Sequence, residues 1–245
     1  MVVDAHNHAH DPRLNSVRAG MAKTLATAGL SFAIVNGTRE DDWGRVGEVC
    51  AADPRLLPSF GLHPWFVDQA GPHWRDRLLQ CLASGHAGVG EIGLDRWKPG
   101  LDPARQEEAF LWQFDLAAQR NLPATVHCLQ AFGRLRDLLH GQATPACGWL
   151  LHSYGGPTEM VREFASMGAY FSFSGTFLHP RKGTRLEAFR QVPRDRLLIE
   201  TDAPDMPGPD PVRPFDAGPG LNHPANIRAV LEGLARELGE PVADL

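Results

Sequence analysis

VVDAHNHAH, residues 2–10, joins a short apolar run to three histidines, His6, His8 and His10. Residues two positions apart on a β-strand point the same way, so His6 and His8 project together if residues 2–6 form a strand. Two neutral imidazoles aimed at one point make half of a metal site. A tag or a pair of solvated surface histidines is the alternative, although tags are usually uninterrupted histidine runs outside the fold. This stretch alone leaves both interpretations open.

Seven further short apolar runs follow the first one, with longer amphipathic segments between them. PARQEEAFLWQFDLAAQRN (103–121) repeats apolar residues every three or four positions, which predicts a helix, and a final helix is predicted over about residues 224–238. Eight strand-then-helix units predict an α/β fold, a (β/α)8 TIM barrel forming a single domain over residues 1–245, with a doubly wound open sheet as the alternative. The predicted strands are VVDAH (2–6), SFAIVNG (31–37), LLPSFGLH (56–63), AGVGEIG (87–93), ATVHC (124–128), GWLLHS (148–153), AYFSFSG (169–175) and RLLIETD (196–202).

Polar side chains stand at or near the carboxyl ends of these strands. They are His6 and His8 on strand 1, His63 on strand 3, Glu91 on strand 4, His127 on strand 5, His152 on strand 6 and Asp202 on strand 8. In a closed barrel these ends share one rim, where active sites lie, whereas an open sheet would hold strands 1 and 8 far apart. The pattern therefore favours the barrel.

All of these residues except His63 are ligands of the kind that bind Zn²⁺ or Mn²⁺. Six ligands exceed what one tetrahedral ion takes, so the sequence predicts two divalent ions that share a bridging group. Glu91 is the predicted bridge, because a carboxylate can bind one ion with each oxygen.

Charge and cysteine content limit the setting in which this chain works. The net charge of −5 gives no general attraction to nucleic acid, so any such binding has to rest on local arginine groups. The four cysteines form no CxxC pair and no signal peptide precedes Val2, which predicts reduced thiols in a cytoplasmic protein. No apolar stretch reaches the roughly 18–20 residues of a membrane helix, so no membrane partner is expected. The stretch 204–220, rich in Pro and Gly, is predicted to be a long functional loop.

Seven motifs, taken together, resemble those of one family. DAHNHAH, GLHPW, GEIGLD, VHC, LLHSYGG, IETDAP and NHPANI occur in this order from residue 4 to about residue 227. They resemble the TatD family of metal-dependent hydrolases, within the amidohydrolase superfamily. The resemblance implies a (β/α)8 barrel with a divalent metal centre, usually binuclear. It also implies hydrolysis of phosphodiester bonds, with deoxyribonucleases among the members.

The resemblance further implies a role for each motif residue. The first metal pair is His6 and His8, the bridge is Glu91, the ligands of the second ion are His127 and His152, the last ligand and general base is Asp202, and the histidine near the substrate phosphate is His63. Asp202 would deprotonate a water whose pKa the metals have lowered towards about 7. His63 could instead pack in the turn before Pro64. Glu200 suits either a carboxylate that orients a ligand histidine or a helix cap or surface pair.

The ligand types also bear on the metal and on its bridge. Zn²⁺, Mn²⁺ and Mg²⁺ all tolerate parts of this set, and the histidines favour Zn²⁺ or Mn²⁺, with Zn²⁺ first. Other amidohydrolases bridge their metals with a carbamylated lysine on strand 4. Neither predicted strand 4 nor predicted strand 5 contains lysine, and Lys98 lies in a Trp-Lys-Pro-Gly loop. Glu91 therefore stays the predicted bridge.

Some positions depart from the family pattern. His10 is expected to support a ligand or to face solvent, and Leu221 stands where many relatives have a basic residue, which weakens the case for nucleic acid. Three cations could take the place of that basic residue, although charges of this kind are usually solvated: Arg181, Lys182 and Arg213. Aromatic residues that could stack a base or pack the barrel top are Trp65, Phe66, Trp97 and Phe177.

The leading hypothesis is a divalent-metal-dependent phosphodiesterase or deoxyribonuclease that attacks with a metal-bridged hydroxide and could act on single-stranded DNA. The second keeps the site but acts on a small-molecule amide, ester or phosphate ester, which the acidic charge and Leu221 favour. PHP phosphoesterases share HxH but differ in ligand number and motif order. A metal-binding module without turnover is disfavoured because every ligand and the base are present. The oligomeric state and exonuclease polarity are left open.

Overall fold

Eight parallel strands form one sheet in the computed structural model, which describes residues 1–83 and 85–245. Strands that are neighbours in the chain are neighbours in the sheet, so each pair is joined by a crossover connection. The strands are β1 (Val2–Asn7), β2 (Leu30–Asn36), β3 (Leu56–Phe60), β4 (Gly88–Asp95), β5 (Ala124–Leu129), β6 (Trp149–Leu151), β7 (Ala169–Ser174) and β8 (Leu197–Glu200).

A helix follows each strand. The helices are α1 (Asn15–Thr27), α2 (Glu40–Ala52), α3 (Trp74–Leu82), α4 (Pro103–Arg120), α5 (Phe132–Leu139), α6 (Val161–Ser166), α7 (Leu186–Gln191) and α8 (Ile227–Leu238). Local sequence explains the limits of α4. The Asp102 side chain accepts a hydrogen bond from the N–H of Ala104 at 2.9 Å, and Asn121 ends the helix with a φ of 49°. This helix matches the predicted one within a residue.

The first and last strands meet where they leave the sheet. The N–H of Asp202 donates to the carbonyl of His6 at 3.0 Å, and the N–H of His8 donates to the carbonyl of Ala203 at 2.7 Å. Because these bonds join the two ends of the strand order, they close the barrel. The open-sheet alternative is excluded, and the predicted α/β fold, a (β/α)8 barrel, is confirmed.

Apolar side chains fill the layer between the strands and the helices. Val35 of β2, Val89 of β4 and Val126 of β5 are fully buried. On α8, apolar residues recur at three- and four-residue spacing and are buried, as an amphipathic helix on a barrel requires; they are Ile227, Val230, Leu231 and Leu234. Within the described residues, no helix has both the length and the apolar character needed to cross a bilayer.

Three strands stop before the site residues that were predicted to lie at their ends. β3, β6 and β8 end two or three residues before the predicted limits, so His63, His152 and Asp202 stand in the loops just beyond them. Loop contacts replace the sheet there. For example, the N–H of His63 donates to the carbonyl of Thr38, in the loop after β2, at 2.9 Å.

Two buried glutamines of α4 hold the backbone near the ends of β3 and β4. Gln113 accepts a hydrogen bond from the N–H of Leu62 at 2.7 Å and donates to its carbonyl at 3.2 Å. Gln106 makes the same pair of bonds with Asp95, at 2.9 and 3.1 Å. Since buried backbone groups need partners, these amides anchor α4 to the rim that carries His63.

Candidate metal centre

Imidazoles converge on the buried carboxyl group of Glu91, on β4, at the carboxyl end of the barrel. Its Oε1 atom lies 3.2 Å from His127 Nδ1 and 2.9 Å from His152 Nε2. Its Oε2 atom lies 3.5 Å from His6 Nε2 and 3.4 Å from His8 Nε2. The two oxygens of one carboxylate therefore face two separate groups of imidazoles.

The group at Oε2 has the spacing of a tetrahedral site. The His6 and His8 Nε2 atoms are 3.2 Å apart, and Asp202 Oδ1 lies 3.4 and 3.5 Å from them. Ligand atoms at about 2.0–2.1 Å from a tetrahedral Zn²⁺ are about 3.3–3.4 Å from one another. Five separations among these four donor atoms, two nitrogens and two oxygens, are thus 3.2–3.5 Å, close to those that one ion imposes.

The group at Oε1 has three donor atoms. His127 Nδ1 and His152 Nε2 are 3.3 Å apart, which is close to their separations from Glu91 Oε1. Three protein ligands with one position left open are typical of a catalytic Zn²⁺ site.

Neighbouring acceptors set the tautomers of two of these histidines. His8 Nδ1 lies 2.7 Å from the carbonyl of Asn36, which can only accept, so Nδ1 carries the proton and Nε2 offers a lone pair. His127 Nε2 lies 2.9 Å from Asp95 Oδ2, so Nε2 donates and Nδ1 offers the lone pair. In both rings the free lone pair lies on the nitrogen that faces Glu91.

His63 has the opposite arrangement. Its Nδ1 accepts a hydrogen bond from the N–H of Trp65 at 3.1 Å, and burial lowers the pKa of this imidazole to about 4. A neutral ring that accepts at Nδ1 carries its proton on Nε2, which lies 3.2 Å from Glu91 Oε1. His63 therefore presents a donor to the site and no lone pair for a metal. His63 also caps the turn Pro64–Gln69, so this side chain combines the position facing the centre with the packing in the turn that was its alternative.

Several buried polar atoms here lack a hydrogen-bond partner among the described residues. They are His6 Nδ1, His152 Nδ1 and Glu200 Oε1. The last two are only 3.6 Å apart, and Ser172 donates to the other oxygen of Glu200. Glu200 is fully buried, so the surface-pair alternative is wrong, and the carboxylate faces a predicted ligand histidine as expected. The donor set, its spacing and the oriented lone pairs fit two divalent ions.

The cluster keeps its carboxylates ionised. Burial opposes ionisation of Asp202, but the hydrogen bonds with His6 and His8 outweigh it and hold the pKa of Asp202 well below its usual range. The imidazoles facing Glu91 likewise outweigh its burial and lower its pKa. Burial opposes the protonation of His8, yet hydrogen bonds to the two carboxylates raise its pKa well above the usual value, so an ion that binds at Nε2 has to displace a proton there. The carboxylates are therefore anionic at neutral pH and attract cations.

Asp95 is a supporting residue that the sequence interpretation missed, although it lies in the GEIGLD motif. Its Oδ2 accepts from His127 Nε2 at 2.9 Å and from the indole N–H of Trp65 at 2.8 Å. Asp95 follows Glu91 by four positions, which on a strand means the same face. That spacing is the signal that could have identified it.

Asp4 is a second supporting residue that was missed. It accepts from the N–H and the hydroxyl of Thr201 at 2.9 and 2.6 Å and from the side chain of Asn7 at 3.0 Å. Burial raises its pKa to about 7 despite these bonds. Asp4 thereby joins β1 to the segment beyond β8, where Asp202 has a φ of 53° in the left-handed region.

Other predicted residues lie outside the centre. His10 is buried at 5% exposure, with its ring against that of His8 and Nε2 3.6 Å from Asp42, so the solvent-facing alternative is wrong. Arg213 in the loop 204–220 donates to Asp210 at 2.9 Å. Lys182 donates to Thr176 at 2.9 Å. To bind a nucleic-acid phosphate in place of the missing basic residue at position 221, these cations would have to give up the partners they already have.

A closed (β/α)8 barrel with histidines and carboxylates gathered at its carboxyl rim is an arrangement that metal-dependent hydrolases use. The family model described as TatD related DNase matches residues 3–245. The chain belongs to this family.

Relatives are similar over most of their length. A protein of Escherichia coli K12 named uncharacterized metal-dependent hydrolase YjjV is 29% identical, with 98% of this chain and 93% of that protein covered. A protein of Cronobacter sakazakii named 3'-5' ssDNA/RNA exonuclease TatD is 31% identical, with 92% and 86% covered. The crystal structure of the TatD homologue YjjV from E. coli K12 has a TM-score of 0.89 at 26% identity, covering 99% of this chain and 92% of that one. The predicted family and the predicted enzyme class, a metal-dependent hydrolase, are confirmed.

Proposed function

We propose that this protein is a phosphodiesterase that cleaves single-stranded nucleic acid at a centre of two divalent ions. The observation that carries the proposal is the carboxylate of Glu91, whose two oxygens face separate sets of ligand atoms. A pair of ions suits in-line displacement at phosphorus, because both the attacking and the leaving oxygen can be stabilised. The family relative named as a single-strand exonuclease supports the choice of substrate.

The proposed ligands divide between the two ions. The first ion would be held by His6, His8, Asp202 and one oxygen of Glu91, and the second by His127, His152 and the other oxygen. Bound there, the ions would lower the pKa of water and neutralise charge on the phosphate. The set of four imidazoles favours Zn²⁺ over Mn²⁺ and Mg²⁺.

The protein's own groups have complementary tasks in this proposal. Asp202 would hold the first ion through Oδ1, and its Oδ2 atom would accept the proton of the attacking water. His63 would donate its Nε2 proton to a phosphate oxygen, since its tautomer presents an N–H to the centre. Glu200 and Asp95 would hold His152 and His127 in orientation through the nitrogen that does not face the metal.

The test is hydrolysis of bis-p-nitrophenyl phosphate and of single-stranded DNA by metal-free protein, with Zn²⁺, Mn²⁺ or Mg²⁺ added separately. We expect metal-dependent cleavage, with Asp202→Asn reducing turnover by about 10²–10⁴-fold. Metal content, measured by elemental analysis, shows whether the variant still binds ions. Asp205→Asn, three residues along and paired with Arg13 at the surface, is the matched control and should behave as the parent. An active Asp202→Asn protein would end the proposed base role.

A small-molecule amide, ester or phosphate ester is the second candidate substrate. The observation in its favour is the net charge of −5 together with Leu221 at a position where a cation was expected. Protein that binds two ions but cleaves neither phosphodiester, while hydrolysing a member of an ester and phosphomonoester panel, would favour this candidate.

A further inference from the structure

The loop after β4 is tied to the metal centre through a single carboxylate. Asp95 Oδ1 accepts hydrogen bonds from the N–H groups of Trp97 and Lys98 at 2.8 and 2.9 Å. Its Oδ2 holds His127 and the indole of Trp65. Because both oxygens are used, residues 97 and 98 have a defined position relative to a proposed metal ligand.

Lys98 places a positive charge beside the centre. Its Nζ atom lies 4.4 Å from the ring centroid of Trp65, within the range of a cation–π contact. The Trp65 ring in turn contacts His63 and His127, with centroids 5.3 and 6.4 Å apart. The ammonium group is therefore separated from two site histidines by one indole ring.

Unlike the charges near it, this one has no acidic partner among residues 1–83 and 85–245. Arg96, two residues earlier, pairs with Glu107 at 3.0 Å, and Arg105 pairs with Asp68 at 3.3 Å. Lys98 makes no ion pair in the part of the chain that the structure describes. An ammonium group without an acidic partner attracts an anion more strongly than a paired one does.

An exposed indole stands next to this charge. Trp97 is 59% exposed, whereas Phe177 is 5% exposed and packs on Phe173 and Phe189. Trp65 is half-buried under Lys98. Of the four rim aromatics predicted to stack a base or to pack, Trp97 has the free surface that stacking requires.

We propose that Lys98 and Trp97 form a subsite for the nucleotide next to the scissile phosphodiester of a single-stranded substrate. Lys98 binds the neighbouring phosphate, and Trp97 stacks on the adjoining base. Neither contact reads a base edge, so the subsite accepts any sequence, and a base paired in a duplex cannot reach the indole. This inference rests on the proposed function and places the cation that position 221 lacks on the loop after β4.

Binding of a fluorescently labelled single-stranded oligonucleotide with phosphorothioate links, measured by anisotropy in Zn²⁺-loaded protein, is the first test. We expect Lys98→Gln to raise Kd about tenfold and to reduce the salt slope by about one. We expect Trp97→Ala to raise Kd about five- to tenfold without changing that slope. Lys23→Gln, an exposed lysine of α1, and Phe32→Ala, an exposed aromatic near the start of β2, are matched controls that should bind as the parent does. Parent-like binding by both rim variants would overturn the subsite.

Kinetics on two substrates separate this subsite from the phosphodiesterase activity itself. Bis-p-nitrophenyl phosphate has one phosphate and no neighbouring nucleotide, so Lys98→Gln should raise KM much more for the oligonucleotide than for this compound. Equal losses on both would mean that the substitution disturbs Trp65 and the centre, and would contradict the subsite. If the parent hydrolyses neither compound, the proposed function fails, and the anisotropy result still decides whether residues 97 and 98 bind single strands.

Discussion

Hydrogen-bond partners give three histidines of the centre, His8, His127 and His63, different chemical roles. The carbonyl of Asn36 accepts a hydrogen bond from His8 Nδ1, and the carboxylate of Asp95 accepts one from His127 Nε2. In each ring the other nitrogen, which faces Glu91, can therefore offer its lone pair to a metal. In His63 the backbone N–H of Trp65 donates to Nδ1, so the ring proton lies on Nε2 and faces the centre. At this scale a single hydrogen bond decides whether a histidine can bind metal or donate a proton.

Asp95→Asn should weaken metal binding at the second proposed ion. An amide oxygen is a weaker acceptor than a carboxylate for the His127 N–H, and loss of such a partner typically costs about 10–100-fold in metal affinity. Competition with a chromophoric chelator would measure the change in Zn²⁺ affinity. Asp76→Asn, at an exposed position of α3, is the control. Unchanged affinity in Asp95→Asn would show that His127 needs no such partner.

Strands β4 and β5 approach each other closely at Gly93. Gly93 of β4 pairs in register with His127 of β5 and has a φ of 140°. A Cβ added to Gly93 would stand 1.9 Å from the His127 carbonyl oxygen, so any side chain forces the strands apart. The glycine therefore lets a proposed ligand strand pack against the strand of the proposed bridge.

Gly93→Ala should destabilise the fold by about 3 kcal/mol or more, because strain and a backbone clash act together. Gly100→Ala is a matched control: its φ is 81°, with open space around the added carbon. That variant should lose about 1–2 kcal/mol from backbone conformation alone. Urea unfolding measures both. Equal losses would mean that the clash near His127 is relieved at no cost.

The whole molecule brings together residues from both ends of the chain. Asp4 and His6 of β1 meet Thr201 and Asp202 beyond β8 through hydrogen bonds. The proposed ligand set is complete only when the barrel is closed. Metal binding is therefore expected to favour the folded state over the unfolded one.

Adding Zn²⁺ to metal-free protein should raise Tm, because ligands that bind only the folded state stabilise it. At a free Zn²⁺ concentration of 100 times Kd, each site contributes about 2.7 kcal/mol. Glu91→Gln should lose most of this gain, since its carboxylate serves both proposed ions. Glu108→Gln, an exposed residue of α4 paired with Arg75, should keep it. Calorimetry with and without chelator would measure the shifts, and an equal shift in Glu91→Gln would argue against the bridge.

Much of the fold could be read from periodicity. Alternating apolar runs located all eight strands within a few residues, because strand and helix patterns are local. The predicted ends of β3, β6 and β8 lie two or three residues beyond the observed ends, because contacts between loops replace the sheet there. Single-domain organisation and the cytoplasmic setting stay predictions.

By itself, the sequence determined the order of strands and helices, the family and the set of seven polar residues at the strand ends. Motif spacing and apolar periodicity carry that information without knowledge of distant contacts. Only the tertiary structure decided that β1 meets β8, that Asp4 and Asp95 support the centre, and that His63 presents a proton. It also decided that, among the described residues, Lys98 has no acidic partner while Arg213 has one. These properties depend on which groups from remote parts of the chain come within hydrogen-bonding or ion-pairing distance, and that is set by how the barrel closes.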